Sequence, residues 1–267
     1  MNVNKLGRIR RRVREDGLHT IPAWVLRWIY CNGRLYHLRF HRLPELRFWA
    51  MEKLGLIPEV RNPDFEPLDP ELNSILDNAT TDEYASFKLA PHMHGSNQQR
   101  QRVAEIAEMC ARRHPGDFVE IGAYLGETTN RLAEVARKHH RRVIAVDPWE
   151  PGTQNCEGWE YEAFLQNIEP YADIVEVVRA SSLDKSTKAL ISERALCFAF
   201  VDGLHTYEAC LSDIRTVAHT RGIIVVDDVL WSNELMRAFR RGAYFTRRIP
   251  VHHPLCREGY LLPSSRR

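Results

Sequence analysis

Between residues 98 and 262 the apolar positions of this chain fall into two alternating patterns. Short, near-continuous apolar runs occur at 117–121, 142–146, 174–179, 196–201 and 222–226. Runs of this length without polar alternation suit strands that are buried on both faces, as in a parallel sheet covered by helices. The stretches between them carry apolar residues three and four apart, which predicts helices over 98–113, 128–139, 158–168, 183–192 and 207–220. In the first of these, Val103, Ile106, Ala107 and Cys110 form one stripe, with arginines and glutamates opposite. The tail offers two further strands, over 243–249 and 259–262, separated by Pro250, His253 and Pro254. So short a connection predicts an antiparallel pair at the edge of the sheet. The expected class is α/β, with a doubly wound and mostly parallel sheet.

The first 90 residues differ. Residues 57–91 contain Pro58, Pro63, Pro67 and Pro70 among several carboxylates, which predicts an irregular linker with one short helix over 71–77. Upstream of it, residues 1–53 hold twelve Lys/Arg against four Asp/Glu, although the whole chain is only +2. The basic run from Arg8 to Arg14 precedes a segment rich in Trp, Leu and Tyr (Trp24, Leu26, Trp28, Tyr30, Tyr36). Two readings stand for this helical extension. It packs on the remainder of the chain or on a second copy, with its arginines solvated, or it lies on an anionic membrane surface or other polyanion. The expected division is residues 1–90 as extension and linker, and 91–267 as the α/β domain.

Composition narrows the setting. The apolar fraction of 44% over 267 residues is sufficient for one large buried core. Six scattered cysteines (Cys31, Cys110, Cys156, Cys197, Cys210, Cys256) include no Cys-x-x-Cys pair, and several fall inside apolar runs. This predicts reduced core thiols and a cytoplasmic protein, peripheral at the inner membrane surface if the basic extension binds lipid. No signal peptide is expected, and the apolar stretch 21–31 is too short to span a bilayer. His92-Met93-His94-Gly95 has no partner at zinc-ligand spacing and reads as a loop at the mouth of a pocket.

The chemistry concentrates at strand ends. Phe118-Val119-Glu120-Ile121-Gly122-Ala123-Tyr124-Leu125-Gly126-Glu127-Thr128-Thr129 reads as a strand, a glycine-punctuated turn and a helix start. The next strand ends at Asp147, followed by Pro148 and Trp149. A carboxylate at the tip of the second strand is how an open parallel sheet holds the ribose of an adenosine cofactor. The turn is Gly-x-x-x-Gly with Glu120 before it, so a pyrophosphate would be repelled and an amino group welcomed. S-adenosylmethionine, with a cationic sulfonium, an α-amino group and no phosphate, fits these constraints. Glu120 is a candidate partner for the amino group, and Asp147 for both ribose hydroxyls. Gly122 and Gly126 would let backbone approach the cofactor. Tyr124, Pro148 and Trp149 would flank it, with Trp149 as an apolar wall beside the adenine. Thr128 and Thr129 are expected to cap the helix, with contact to the cofactor as the second reading. Ser181 and Ser182 read equally as adenine-edge contacts or as an ST-turn.

Taken in order, Glu120-Ile-Gly-Ala-Tyr-Leu-Gly-Glu-Thr-Thr, Val146-Asp147-Pro-Trp, Phe200-Val-Asp202-Gly-Leu-His205-Thr-Tyr207-Glu208 and Gly222-Ile-Ile-Val-Val-Asp227-Asp228 resemble class I S-adenosylmethionine-dependent methyltransferases. More narrowly, they are similar to the branch that includes the macrocin and mycinamicin O-methyltransferases and the rhamnosyl O-methyltransferases. The resemblance covers residues 98–262. It implies a Rossmann-like, mostly parallel seven-stranded sheet with an antiparallel edge strand. It also implies O-methylation of a hydroxyl on a sugar or other small polyhydroxylated metabolite, so that the partner is a small-molecule or glycan acceptor, with a second copy of the chain as a further candidate.

Asp202 would belong to both the cofactor and the acceptor side. Asp202, His205 and Asp227 are the catalytic candidates, because the acceptor hydroxyl must lose a proton as donor and acceptor are aligned. Asp202, Asp227 and Asp228 are three hard oxygen donors of the kind that suits Mg²⁺, and the resemblance implies such a metal at these positions. Leu204 stands where the resembling macrolide-sugar enzymes carry a further acid, which leaves His205 as the alternative base. A nucleic-acid methyltransferase would account for the basic N-terminus, but the Asp/Asn-Pro-Pro-aromatic sequence of amino-methylating enzymes is replaced here by Asp202-Gly-Leu-His205. A non-methylating relative that keeps the fold is the other alternative.

Overall fold

The computed structural model describes residues 59–63, 68–78, 96–152 and 156–264. The basic stretch 1–53, Cys31 and the His92–Gly95 motif lie outside them, so the readings attached to those segments rest on sequence. Among the described residues, the strands β1 (Asp117–Ile121), β2 (Val143–Asp147), β3 (Val175–Arg179), β4 (Leu196–Val201), β5 (Ile224–Val226), β6 (Ile249–Val251) and β7 (Gly259–Leu262) form one sheet. Its order is β3-β2-β1-β4-β5-β7-β6. β1 to β5 are parallel, while β7 runs antiparallel to both β5 and β6. This is the doubly wound sheet with an antiparallel edge that the run pattern predicts.

Strand alternation divides the core in two. Phe118, Val143, Ala145, Phe198, Phe200 and Val225 face one layer of helices. That layer comprises α1 (Pro70–Leu76), α2 (Asn97–Arg113), α3 (Glu127–Lys138) and α4 (Glu160–Ile168). Val119, Ile121, Ile144, Val146, Ala199, Val201, Ile224 and Val226 face the other, built from α5 (Lys185–Ser192), α6 (Tyr207–Thr216) and α7 (Asn233–Thr246). Every residue of β4 is buried, which is why its sequence shows no polar alternation. The short helix expected in the proline-rich stretch is α1. Asp69 caps it, Pro70 starts it, and Arg113 of α2 binds Asp69 and Glu71.

Two expectations need correction. Residues 243–246 are not strand but the last turn of α7, and the edge strand begins only at Ile249. Leu235, Ala238, Phe239, Gly242 and Ala243 recur at helical spacing and are buried, and Ser232 caps the helix by accepting from Leu235 N at 3.2 Å. The second concerns α3. Its N-cap is Gly126, in left-handed conformation and without a side-chain cap, whereas the Thr129 hydroxyl turns inward to Glu120. The tail pairing itself is as expected: β6 and β7 are antiparallel.

Candidate active site

Parallel strands that leave a sheet centre in opposite directions open a crevice at their carboxyl ends. Here β1 sits between β2 and β4, and a cavity of about 750 Å³ lies beyond the ends of these strands. That size falls within the ~300–1,000 Å³ usual for small-molecule sites. Its lining includes Glu120, Gly122, Tyr124, Asp147, Pro148, Trp149, Ser182, Asp202, His205, Asp227 and Asp228. Residues far apart in sequence are thus brought together.

At the β1–β2 end, the backbone fixes the carboxylates. Tyr124 N donates to Asp147 Oδ2 at 3.0 Å and Trp149 N donates to Oδ1 at 2.9 Å. Each oxygen keeps a lone pair for a hydroxyl, as two vicinal ribose hydroxyls would need. Burial raises the Asp147 pKa, partly offset by these backbone bonds. Glu120 is 1% exposed, and Thr129 donates to its Oε2. Burial drives its pKa up to about 8, with Thr129 acting against the shift and Asp202 and Asp147 adding to it. Gly122 has φ +91°, and a Cβ there would meet the Asp202 carbonyl oxygen at 1.9 Å, so glycine is required to bring the β1 and β4 ends together.

Three of the predicted cofactor residues serve the site from behind. A Cβ at Gly126 would meet Phe164 Cδ2 at 2.8 Å, so this glycine admits α4 rather than a ligand. Thr129 is fully buried beneath Glu120. Trp149 is 1% exposed; its ring packs on Phe164 and Tyr161, and its Nε1 donates to the Tyr124 carbonyl at 2.7 Å. The indole therefore backs the wall, with most of its face in the core. Ser181 forms the ST-turn, accepting from Leu183 N at 3.2 Å, while Ser182 lines the cavity.

At the β4–β5 end, His205 Nε2 lies 3.3 Å from Asp202 Oδ1 and 3.4 Å from Asp228 Oδ2. Among the described residues these three are the potential metal donors that converge, within 4.8 Å of one another. Asp227 does not join them. Its Oδ1 accepts from Gln99 Nε2 at 2.7 Å and from Asp228 N at 2.8 Å. Asp227 N still continues the ladder to Val201, and Asp228 then takes φ +52°, so the two neighbouring carboxylates diverge. The expected triad Asp202, Asp227, Asp228 is therefore replaced by Asp202, His205, Asp228. Burial, with Asp227 nearby, raises Asp202 to about 6. Burial opposes protonation of His205, but Asp202 and the other carboxylates outweigh it and raise its pKa.

No local motif marks Arg257, which precedes β7 and reaches back to Asp228 Oδ1 at 2.5 Å and Asp227 Oδ1 at 3.3 Å. The only local signal is a charged pair, Arg257-Glu258, directly before an apolar strand. Gln99 is equally unmarked as a partner: it extends the stripe of Val103, Ile106 and Cys110 by one turn and is buried, a polar residue on the apolar face. Leu204 and Trp231 line the cavity and are exposed, and the Trp231 ring lies 5.6 Å from that of His205. Cys156 also lines the cavity, while 153–155 lie outside the described residues.

Residues 119–229 match the sequence family described as "Methyltransferase domain". The matched segment spans most of β1, the whole of β2 to β5 and most of the residues that line the cavity. Its sheet order, with the antiparallel β7 inserted beside β5, is the class I arrangement that the motif resemblance implies. No curated protein sequence matches the chain. Similar solved structures include CalS11, a TDP-rhamnose 3'-O-methyltransferase of calicheamicin biosynthesis (15% identity, 76% of this chain and 99% of that one, TM-score 0.47). Others are the O-methyltransferase NovP (16%, 65% and 84%, 0.49) and a Bacillus cereus O-methyltransferase in complex with SAH (18%, 75% and 94%, 0.48).

Proposed function

We propose that this methyltransferase uses S-adenosylmethionine to methylate a hydroxyl of a sugar or other small polyhydroxylated metabolite. The observation that carries this reading is one cavity with two differently built acidic ends. The Glu120–Asp147 end suits a nucleoside with an attached amino group, and the Asp202–His205 end suits an acceptor that must lose a proton. Seven carboxylates line the cavity (Glu120, Glu127, Asp147, Glu150, Asp202, Asp227, Asp228) against the two arginines Arg100 and Arg257. That balance favours a cationic cofactor over a pyrophosphate.

S-adenosylmethionine, when bound, supplies an electrophilic methyl group on a cationic sulfur. The chain's own residues do the rest. Asp147 receives the ribose hydroxyls on oxygens already oriented by Tyr124 and Trp149. Glu120 pairs with the amino group, which offsets the cost of burying its charge. The hydrogen-bonded Asp202–His205 pair takes up the proton of the acceptor hydroxyl as the oxygen attacks. Asp227, tied to Gln99 and Arg257, holds the β5 end in register and orients its neighbours instead of meeting the acceptor. A role for Mg²⁺ would need a hard, oxygen-rich cage. Here the converging donors include an imidazole, Asp227 is committed to Gln99 and Arg257, and Asp228 faces the guanidinium. The residues present do not fit that ion.

Calorimetric titration with S-adenosylhomocysteine tests the cofactor, and methyl transfer to a panel of sugars and polyols tests the reaction. Asp147→Ala should weaken S-adenosylhomocysteine by about tenfold or more, as expected when a charge-assisted pair is lost. Asp202→Ala should leave the fold intact and reduce turnover by ~100-fold or more. Turnover unchanged in Asp202→Ala would remove the proposed chemistry.

A further inference from the structure

The carboxylates at the β4–β5 end lie beside a cation that the chain itself supplies. We propose that Arg257 is the resident counter-cation of the acceptor side, so that methyl transfer here proceeds without a divalent metal. This rests on the acceptor side being where the proposed function places it.

Arg257 lines the cavity and its side chain is 11% exposed. Its backbone carbonyl accepts from Val229 N at 3.1 Å, which ties the segment before β7 to the turn that follows Asp227 and Asp228. From there Nη2 reaches Asp228 Oδ1 at 2.5 Å and Nε reaches Asp227 Oδ1 at 3.3 Å. Both aspartates are almost completely buried. One guanidinium therefore touches both carboxylates and places a positive charge against Asp228, the one of the two that belongs to the converging donors. Guanidinium stays protonated at any working pH and is more weakly hydrated than a small dication, so it is the cation better suited to a half-dry site. Mg²⁺ demands near-octahedral oxygen donors and gives up water reluctantly. To enter, it would have to displace Arg257 or sit beside it, against like-charge repulsion at close range. In this arrangement Arg257 does the electrostatic work of a metal. Its positive charge stabilises the acceptor oxygen as it becomes anionic and passes its proton to the Asp202–His205 pair.

The test uses Mn²⁺ as the probe, observed by electron paramagnetic resonance on the full chain saturated with S-adenosylhomocysteine. Three proteins are compared: the unmodified chain, Arg257→Met and Arg257→Lys. The unmodified chain should leave the free Mn²⁺ spectrum unchanged, and EDTA should not alter its turnover. Arg257→Met removes the charge while keeping much of the volume. It should bind one Mn²⁺ at least about tenfold more tightly than the unmodified chain, through the carboxylates it exposes. Its turnover without metal should fall by ~100-fold. Arg257→Lys should bind no Mn²⁺, because the charge remains. Affinity for S-adenosylhomocysteine reports whether each variant is folded. Stoichiometric Mn²⁺ binding by the unmodified chain, with turnover lost to EDTA and restored by Mg²⁺, would overturn the proposal. So would an Arg257→Met protein that binds Mn²⁺ no better than the unmodified one. If no acceptor is methylated at all, the proposed function fails, while the Mn²⁺ comparison still reads the charge at residue 257.

Discussion

Glu120 is where cofactor binding and protonation meet. Its burial leaves it neutral near pH 7, with a pKa of about 8, yet the proposed partner is an ammonium group that needs the ionised form. Binding must then release a proton. S-adenosylhomocysteine affinity should therefore strengthen as pH rises from 6 towards 8, by up to about tenfold per unit, and level off above that. Glu120→Gln should bind more weakly and lose most of the pH dependence. Calorimetry in buffers of different ionisation enthalpy would count the proton, and a pH-independent affinity in the unmodified protein would separate Glu120 from the amino group. Backbone geometry points to the same region. Among the described residues, five non-glycine residues have positive φ, and three of them (Tyr124, Trp149, Asp228) line the cavity. Such conformations cost roughly 1–3 kcal/mol each and persist where surrounding structure enforces them, commonly at functional sites.

At the scale of elements, the site depends on how closely strand ends approach and on how the tail is fastened. Gly122→Ala would place a methyl group against the Asp202 carbonyl at a positive φ. It should both lower thermal stability and abolish S-adenosylhomocysteine binding, measurable by thermal shift with and without ligand. The tail that delivers Arg257 is anchored by its neighbour. Glu258 is fully buried and accepts from Arg102 Nε of α2 at 2.6 Å and from Tyr260 Oη at 2.7 Å. Arg102→Met strands that carboxylate and should cost ~3–5 kcal/mol in chemical denaturation, whereas the double variant Arg102→Met/Glu258→Met should cost clearly less. Equal losses in the two would show that the buried charge is not what matters. The segments 59–63 and 68–78 join the same body: Arg61 N donates to the Pro250 carbonyl at 2.9 Å, and α1 packs on α2.

For the molecule as a whole, buried carboxyls set the pH response. Burial lifts Glu120 to about 8 and Asp213 to about 7, from ordinary values of 4.5 and 3.8. Between roughly pH 4 and 8 the folded chain therefore binds more protons at these groups than the unfolded chain does, so their contribution to stability is present at low pH and lost as pH rises. The melting temperature should fall from pH 5.5 to 8.5, and Asp213→Asn should flatten part of that fall. A melting temperature that rises across this range would contradict the buried-neutral assignment. Among the described residues no helix is long and apolar enough to cross a membrane. Cys110, Cys197, Cys210 and Cys256 are buried free thiols, Cys197 within the apolar run of β4, and Cys156 sits half-buried at the cavity.

The amino-acid order by itself determined the layers, the parallel core and the two ends of the cleft. Those features arise from local periodicity and from residues placed directly at strand tips, where a buried run stops and a carboxylate or glycine follows. The apolar residues at 243–249 look like a strand only in isolation; the helical spacing that begins at Leu235 carries the helix through Thr246. What no local pattern could carry was the direction of side chains after the strands end. Asp227 and Asp228 are neighbours in sequence, yet a left-handed turn sends one to Gln99 and the other to His205. Arg257 enters from a segment 29 positions beyond Asp228, and only the antiparallel insertion of β7 beside β5 brings its charge to them. Tertiary structure decided the balance of charge on the acceptor side, because that balance depends on separations of a few ångströms between residues that the chain holds far apart.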